Sequence, residues 1–267
     1  MDVDAPDPLP YDPIQHLRTD GVRLLDVFVD HGFDQAVPSC PGWDLGDLAA
    51  HIGGVWSSWF TRVEDHIVTS EQARGMTPSA RPGDDLLLDW ASAAHNGILT
   101  ALIEAPSDQP VWTWTGAPRD IEWLRRRMVQ ETAVHRWDAA NAVGLPYEIP
   151  TAVAADGIDE FLMWFAGRRR DRATEPVGGT VHLHCTDTDA VVAEGSDRRE
   201  AAGGEWLVTR LENGRCDVVR EHAKGDAAIR GRAHDLLVWC WGRTDGPVEI
   251  LGDAAVAERF RAFANLD

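Results

Sequence analysis

The sequence predicts a two-domain chain of α + α/β type, a helical bundle followed by a smaller α+β domain. Two observations carry this reading. Over the first 170 or so residues, apolar positions recur at helical spacing between polar, Pro/Gly-bearing breaks. After Arg172 the pattern changes to short alternating or β-branched segments, with an Asn213-Gly214 hairpin signal between two of them. The expected domains are 1–172 and 178–267.

Each element has a local reason. Residues 13–31 carry Ile14, Leu17, Val22, Leu25 and Val29 near helical spacing. A turn-rich stretch, Val37 to Gly42, precedes Asp44, which offers an N-cap to a helix over 45–68, with the carboxylate of Asp47 three residues on. Residues 70–83 read as a linker. A third helix fits 84–104, ended by Pro106, and 107–119 is a loop or short strand with Trp112 and Trp114 on alternate positions. A fourth helix fits 120–143, stopped by Gly144 and Pro146, and a fifth fits 151–170. Strands are expected at 179–186, 205–212, 215–221, 226–231 and 248–251, with helices near 233–242 and 253–265.

Composition limits the function. Asp+Glu is 44 against 25 Lys+Arg, a net charge of −19. Nucleic-acid binding needs a basic footprint, and anionic lipid repels such a chain. No apolar run in the sequence approaches the ~18 residues of a membrane span. The acidic, Pro-rich N-terminus lacks the pattern of a secretory signal. With four Cys and no C-x-x-C spacing, reduced thiols and a cytoplasmic location are expected.

The chemistry concentrates on the fourth helix. At about 100° per residue, Ile121, Leu124, Met128, Glu131, His135, Ala139 and Ala142 share one stripe. Glu131 and His135 interrupt that apolar stripe at i and i+4, where side chains meet. A buried carboxylate must be paired, hydrogen-bonded or metal-bound. The pair therefore reads either as a core hydrogen bond or as two ligands of one ion. On the second helix, His51 sits at the edge of the stripe formed by Leu45, Leu48, Ile52, Val55 and Trp59. Bundles build metal sites from facing helices, and two imidazoles with one carboxylate make a catalytic zinc set with an open position.

Two runs carry a resemblance: Cys40-Pro41-Gly42-Trp43-Asp44-Leu45-Gly46-Asp47-Leu48-Ala49-Ala50-His51-Ile52 and Glu131-Thr132-Ala133-Val134-His135-Arg136-Trp137-Asp138-Ala139. Both are similar to motifs of the mycothiol-dependent maleylpyruvate isomerase family, within the DinB-like four-helix metalloenzymes. Val181 to His184, Gly204 to Trp206 and Asp226 to Arg243 resemble that family's sterol-carrier-like C-terminal domain. The resemblance implies a DinB-like four-helix bundle with His51, Glu131 and His135 as metal ligands, zinc and mycothiol as cofactors, and a small electrophilic substrate. The metal would hold the thiol as a thiolate for addition to the electrophile, giving cis–trans isomerisation if the thiol is eliminated again and S-transfer if it is not. The family is also expected to use an Arg from the C-terminal domain. Arg243 is the favoured candidate among Arg220, Arg230, Arg232 and Arg243.

Trp56, Trp112 and Trp114 are the candidates to wall the cleft and contact the thiol cofactor. Asp138, three residues after His135, can hold its imidazole or be solvated. Cys40 reads as a structural thiol, and His95 as a packed or surface residue. His182 and His184 share one strand face. A His-x-His pair can bind metal, but Val181, Leu183 and Cys185 take the apolar face and leave the two His on the polar one. Two other functions compete: a binding module without turnover, and a metal hydrolase that activates water. A monomer or homodimer is expected.

Overall fold

The computed structural model describes residues 9–166, 176–188, 204–210 and 216–264. The Asn213-Gly214 turn, the end of the expected fifth helix and part of the expected domain boundary lie outside them. The chain divides into two compact units, Met1–Tyr147 and Glu148–Asp267.

The first unit is a four-helix bundle of α1 (Pro13–His31), α2 (Leu45–Glu64), α4 (Asp84–Glu104) and α5 (Ile121–Ala142). Neighbours run α1–α4–α2–α5 and back to α1. Local chemistry sets the ends. Asp12 caps α1 by accepting from the Ile14 and Gln15 N–H groups, and Pro13 supplies a preset φ at the first position. Asp44 and Asp47 form a reciprocal capping box on α2. Asp120 accepts from the Trp123 N–H to start α5. Buried Leu17, Leu24, Leu48, Ile52, Leu87, Ile98, Leu124 and Met128 fill the core.

Three details refine or depart from the sequence reading. The expected linker holds a short helix, α3 (Ser70–Gly75), capped by Thr69 and Gln72 and burying nothing. The segment expected as a loop or short strand contributes β1 (Pro110–Trp112), which pairs with β2 (Pro118–Asp120) as a hairpin. Finally, α4 is long and apolar enough by composition to cross a membrane, although no qualifying run was expected. Its apolar residues serve the bundle: Leu87, Ala91, Ile98 and Leu102 are buried on its contacts with α1 and α2.

One contact in this core is tight enough to predict an outcome. A Cβ on Gly21 of α1 would lie 2.0 Å from Nε2 of His95 on α4. The His95 ring is 2 % exposed and Nε2 donates to the Leu17 carbonyl at 3.1 Å, so it has no free space to retreat into. Gly21→Ala would gain about 1 kcal/mol of helix propensity. Overpacking costs typically ~1–3 kcal/mol, and here a hydrogen bond is lost as well. Denaturant unfolding is therefore expected to show a net loss of stability.

The second unit opens with α6 (Thr151–Glu160), continued by a π-helical turn, Phe161–Phe165. The sequence reading grouped this segment with the bundle. In the structure it packs against α7 (Ala233–Cys240) within the C-terminal unit, because its apolar side (Val153, Ala154, Ile158, Phe161) is buried there. Five strands form one sheet in the order β5 (Cys216–Val219), β4 (Glu205–Arg210), β3 (Val181–Cys185), β6 (Ala227–Gly231), β7 (Glu249–Gly252). The central β3–β6 pair is parallel and the others are antiparallel. Helix α7 and α8 (Ala254–Ala264) pack on this sheet, covering Val181, Leu183, Ala227 and Ile229.

Candidate metal centre

Helices α2 and α5 bring His51, Glu131 and His135 together. Nε2 of His51 lies 3.1 Å from Glu131 Oε1, and Nε2 of His135 lies 3.5 Å from the same oxygen. The two imidazole rings stand at 72°, centroids 4.8 Å apart, and the donor atoms of all three side chains lie within 4.8 Å of one another. Burial is graded, with side-chain exposures of 35 % for His51, 16 % for Glu131 and 10 % for His135. The cluster thus opens toward solvent on the His51 side.

The donor set fits a divalent ion. Tetrahedral zinc with bonds of about 2.1 Å requires donor atoms about 3.4 Å apart. The separations of 3.1 and 3.5 Å fall on either side of that value. Three protein ligands leave a fourth position for another molecule.

Surrounding groups hold these side chains in place. Arg127, one turn before Glu131 on α5, donates to Oε2, which leaves Oε1 facing the imidazoles. Asp138 accepts from His135 Nδ1 at 2.9 Å, so Nε2 is the nitrogen turned toward the cluster. Asp138 is fully buried, and it also accepts from the Ser39 hydroxyl at 2.6 Å and the Cys40 thiol at 3.5 Å. Trp43 lies against His51, ring centroids 5.1 Å apart. The turn from Val37 to Trp43 aims Ser39 and Cys40 inward. It is closed by Val37 N–H to Trp43 O at 2.9 Å, and Gly42 takes φ +85.

Cys40, His135 and Asp138 also lie close enough together to hold an ion. All three are buried and already joined by hydrogen bonds, so they support the first cluster and give no opening to a substrate. Cys40 is therefore a structural thiol, as expected, but one with a specific partner. None of the four cysteines forms a disulfide.

The electrostatics follow from this packing. Burial works against the ionised Glu131 carboxyl, but the Arg127 charge and the His135 and His51 hydrogen bonds outweigh it and hold its pKa well below the usual range. Burial likewise disfavours a charged His135, yet the bonds to Asp138 and Glu131 raise its pKa to about 9. Without an ion, then, a proton sits where the metal would bind. Zinc must displace it, so lower pH favours the metal-free form. Zinc affinity is expected to climb as pH rises toward about 9, by up to roughly tenfold per pH unit. Calorimetry in buffers of different ionisation enthalpy should count about one proton released per ion.

Each of the other candidates has its own surroundings. Trp56 is fully buried, donates to the Thr132 hydroxyl at 3.2 Å and packs on His95, so it has no surface to offer a ligand. Trp114 meets Trp123 edge-on at 6.1 Å, and Trp123 meets Trp59 at 6.4 Å. Trp59 and Trp123 are each eight residues from a triad ligand, about 12 Å along the bundle. Trp112 hydrogen-bonds to Ile67 O at 2.7 Å, near the far end of α2. Arg243 lies in the C-terminal unit on the turn after α7, where its Nη1 donates to Trp241 O at 3.3 Å.

Residues 14–140 match the family profile of the mycothiol maleylpyruvate isomerase N-terminal domain, and residues 152–259 match the C-terminal domain of the same family. The chain belongs to the mycothiol maleylpyruvate isomerase family. Its fold is similar to the crystal structure of the mycothiol-dependent maleylpyruvate isomerase (TM-score 0.56, 11 % identity) and to that of a histidine-to-alanine mutant (TM-score 0.58, 12 % identity). Each comparison covers 89 % of this chain and 91 % of the other. At these identities the likeness establishes the fold. No curated protein matches the chain significantly.

For this family member, sequence reasoning found the three convergent side chains and missed Arg127, Ser39 and the burial of Asp138. An Arg four residues before Glu131 was an available i, i+4 signal. No local signal joins Ser39 to Asp138, 99 residues away.

Proposed function

We propose that the chain is a zinc-dependent enzyme that uses mycothiol, adding the thiol to a small electrophile as a maleylpyruvate-type cis–trans isomerase or as a mycothiol S-transferase. The observation that supports this most is the open three-ligand cluster of His51, Glu131 and His135, braced by Asp138 and Arg127, in a member of this family. A divalent ion held there supplies the positive charge that keeps a thiol ionised at neutral pH.

The chain's own residues do the rest. Arg127 fixes one oxygen of Glu131, and Asp138 fixes the tautomer of His135, so the ligand atoms are set before any ion arrives. The half-exposed His51 marks the side from which thiol and substrate enter. A cytoplasmic setting, where a small thiol stays reduced, suits this reading. Trp112 and Trp114 are proposed to contact the body of the thiol cofactor and not its sulfur. Arg243 is proposed, on chemical grounds, as the cation for the substrate's acid group.

The test is thiol dependence. Zinc-loaded protein should convert maleylpyruvate, or conjugate an electrophile, only when mycothiol is present. Equal turnover without any thiol would instead favour water activation and overturn the proposal.

A further inference from the structure

We propose that the C-terminal unit carries a second divalent transition-metal site, formed by His182, His184, Glu205 and His222. The register of the sheet builds it. His182 and His184 project from the same face of β3, and Glu205 on β4 lies directly opposite His184. His222, three residues beyond the end of β5, comes in from the other side of β4.

All three imidazoles aim a nitrogen at the one carboxylate. His182 Nε2 is 2.9 Å and His222 Nδ1 2.5 Å from Oε2, and His184 Nδ1 is 3.4 Å from Oε1. The four donor atoms lie within 4.8 Å of one another. The rings stand at 79–89° to each other with centroids 5.5–6.2 Å apart, so they converge on a point and do not stack. His182 is 6 % exposed, not solvated on a polar strand face as the alternation suggested. Burying a histidine beside a carboxylate that two other histidines already approach exceeds what packing requires.

Ligand chemistry selects the ion class. Imidazoles with one carboxylate suit zinc, nickel or copper, whereas magnesium and calcium prefer all-oxygen sets. Four protein ligands make a closed, structural type of site, in contrast to the three-ligand open cluster of the bundle. Its role would be to clip β3, β4 and the segment after β5 together.

Zinc stoichiometry tests this on full-length, tag-free protein, by elemental analysis after equilibration with a competing chromophoric chelator. Wild type is expected to hold about two ions per chain. His51→Ala/His135→Ala and His184→Ala/His222→Ala should each hold about one, and the fourfold variant none. His222 and His184 side chains are 79 % and 27 % exposed, so their replacement spares the core. Glu205→Gln provides a near-isosteric check, and circular dichroism confirms folding. Zinc should also raise the Tm of His51→Ala/His135→Ala but not of the fourfold variant. A His184→Ala/His222→Ala protein holding as much zinc as wild type would overturn the second site. A His51→Ala/His135→Ala protein holding as much as wild type would instead overturn the bundle site, so the two failures are distinguishable.

Discussion

Replacing His135 with alanine is expected to remove the bundle's metal and lower turnover on the order of a thousandfold. Two losses combine in that one substitution. An ion left with His51 and Glu131 lacks a complete ligand set, and the charge stabilisation a metal supplies is worth several kcal/mol, each ~1.4 kcal/mol being tenfold in rate. The fully buried Asp138 also loses its imidazole donor, keeping only Ser39 and Cys40 of the donors described above. Leaving a buried polar group partly unsatisfied costs about 1–3 kcal/mol. The variant should therefore melt earlier as well as fail to turn over. His51→Ala separates the two effects. His51 is half-exposed and does not brace Asp138, so that variant should lose metal and activity with a smaller loss of stability. Zinc content, steady-state kinetics and thermal melts on both proteins check this.

Substitution of Asp138 by asparagine is expected to weaken zinc binding by roughly 10–100-fold, the usual effect of removing a carboxylate that orients a ligating imidazole. The donors around Asp138 include a hydroxyl, a thiol and an imidazole N–H. An asparagine can keep its accepting oxygen toward Cys40 and His135 and turn its NH2 to the Ser39 hydroxyl, which then accepts, so what is lost is the negative charge behind the imidazole and the charge-assisted strength of its hydrogen bond. Because Asp138 is fully buried and works through His135, it is a positioning residue. Activity of Asp138→Asn should recover as free zinc is raised well above the weakened Kd. A kcat that stays low at saturating zinc would show that Asp138 does more than hold the ligand.

Much of this architecture was legible in the sequence for physical reasons that can be named. Two of the bundle helices announce themselves through their ends: the Asp44/Asp47 pair before α2 and Gly144 after α5. Two of the proposed metal ligands are visible because Glu131 and His135 interrupt an apolar stripe one turn apart. The helix Ser70–Gly75 was missed because its only signal is the Thr69/Gln72 box, with no apolar face behind it. Sequence alone leaves Asp138 between an acceptor for His135 and a solvated carboxylate and says nothing of Arg127 and Gln130, yet α5 is buried on most of its circumference. A polar side chain satisfied by a partner remote in sequence, as Asp138 is by Ser39, looks in one dimension like a surface residue. The same limit applies to β3. Alternation put His182 on a polar face, and only the pairing with β4 shows that this face holds Glu205.

The charge of the chain also takes on a local meaning. At −19 overall, the protein repels an acidic substrate at a distance, and salt screens that field within about 10 Å. Near the triad the balance differs, because Arg127 offsets Glu131 and a divalent ion outweighs Asp138. A loaded site is therefore locally positive within an acidic protein.

The central claim, that the bundle cluster holds an ion open to a thiol, is tested most directly by zinc X-ray absorption. The His184→Ala/His222→Ala protein is the right sample, since it leaves the bundle site as the source of the signal. Without thiol, the zinc should show only nitrogen and oxygen neighbours. With mycothiol added, one sulfur neighbour should appear at about 2.3 Å. A coordination shell that stays entirely nitrogen and oxygen under saturating mycothiol would contradict the account.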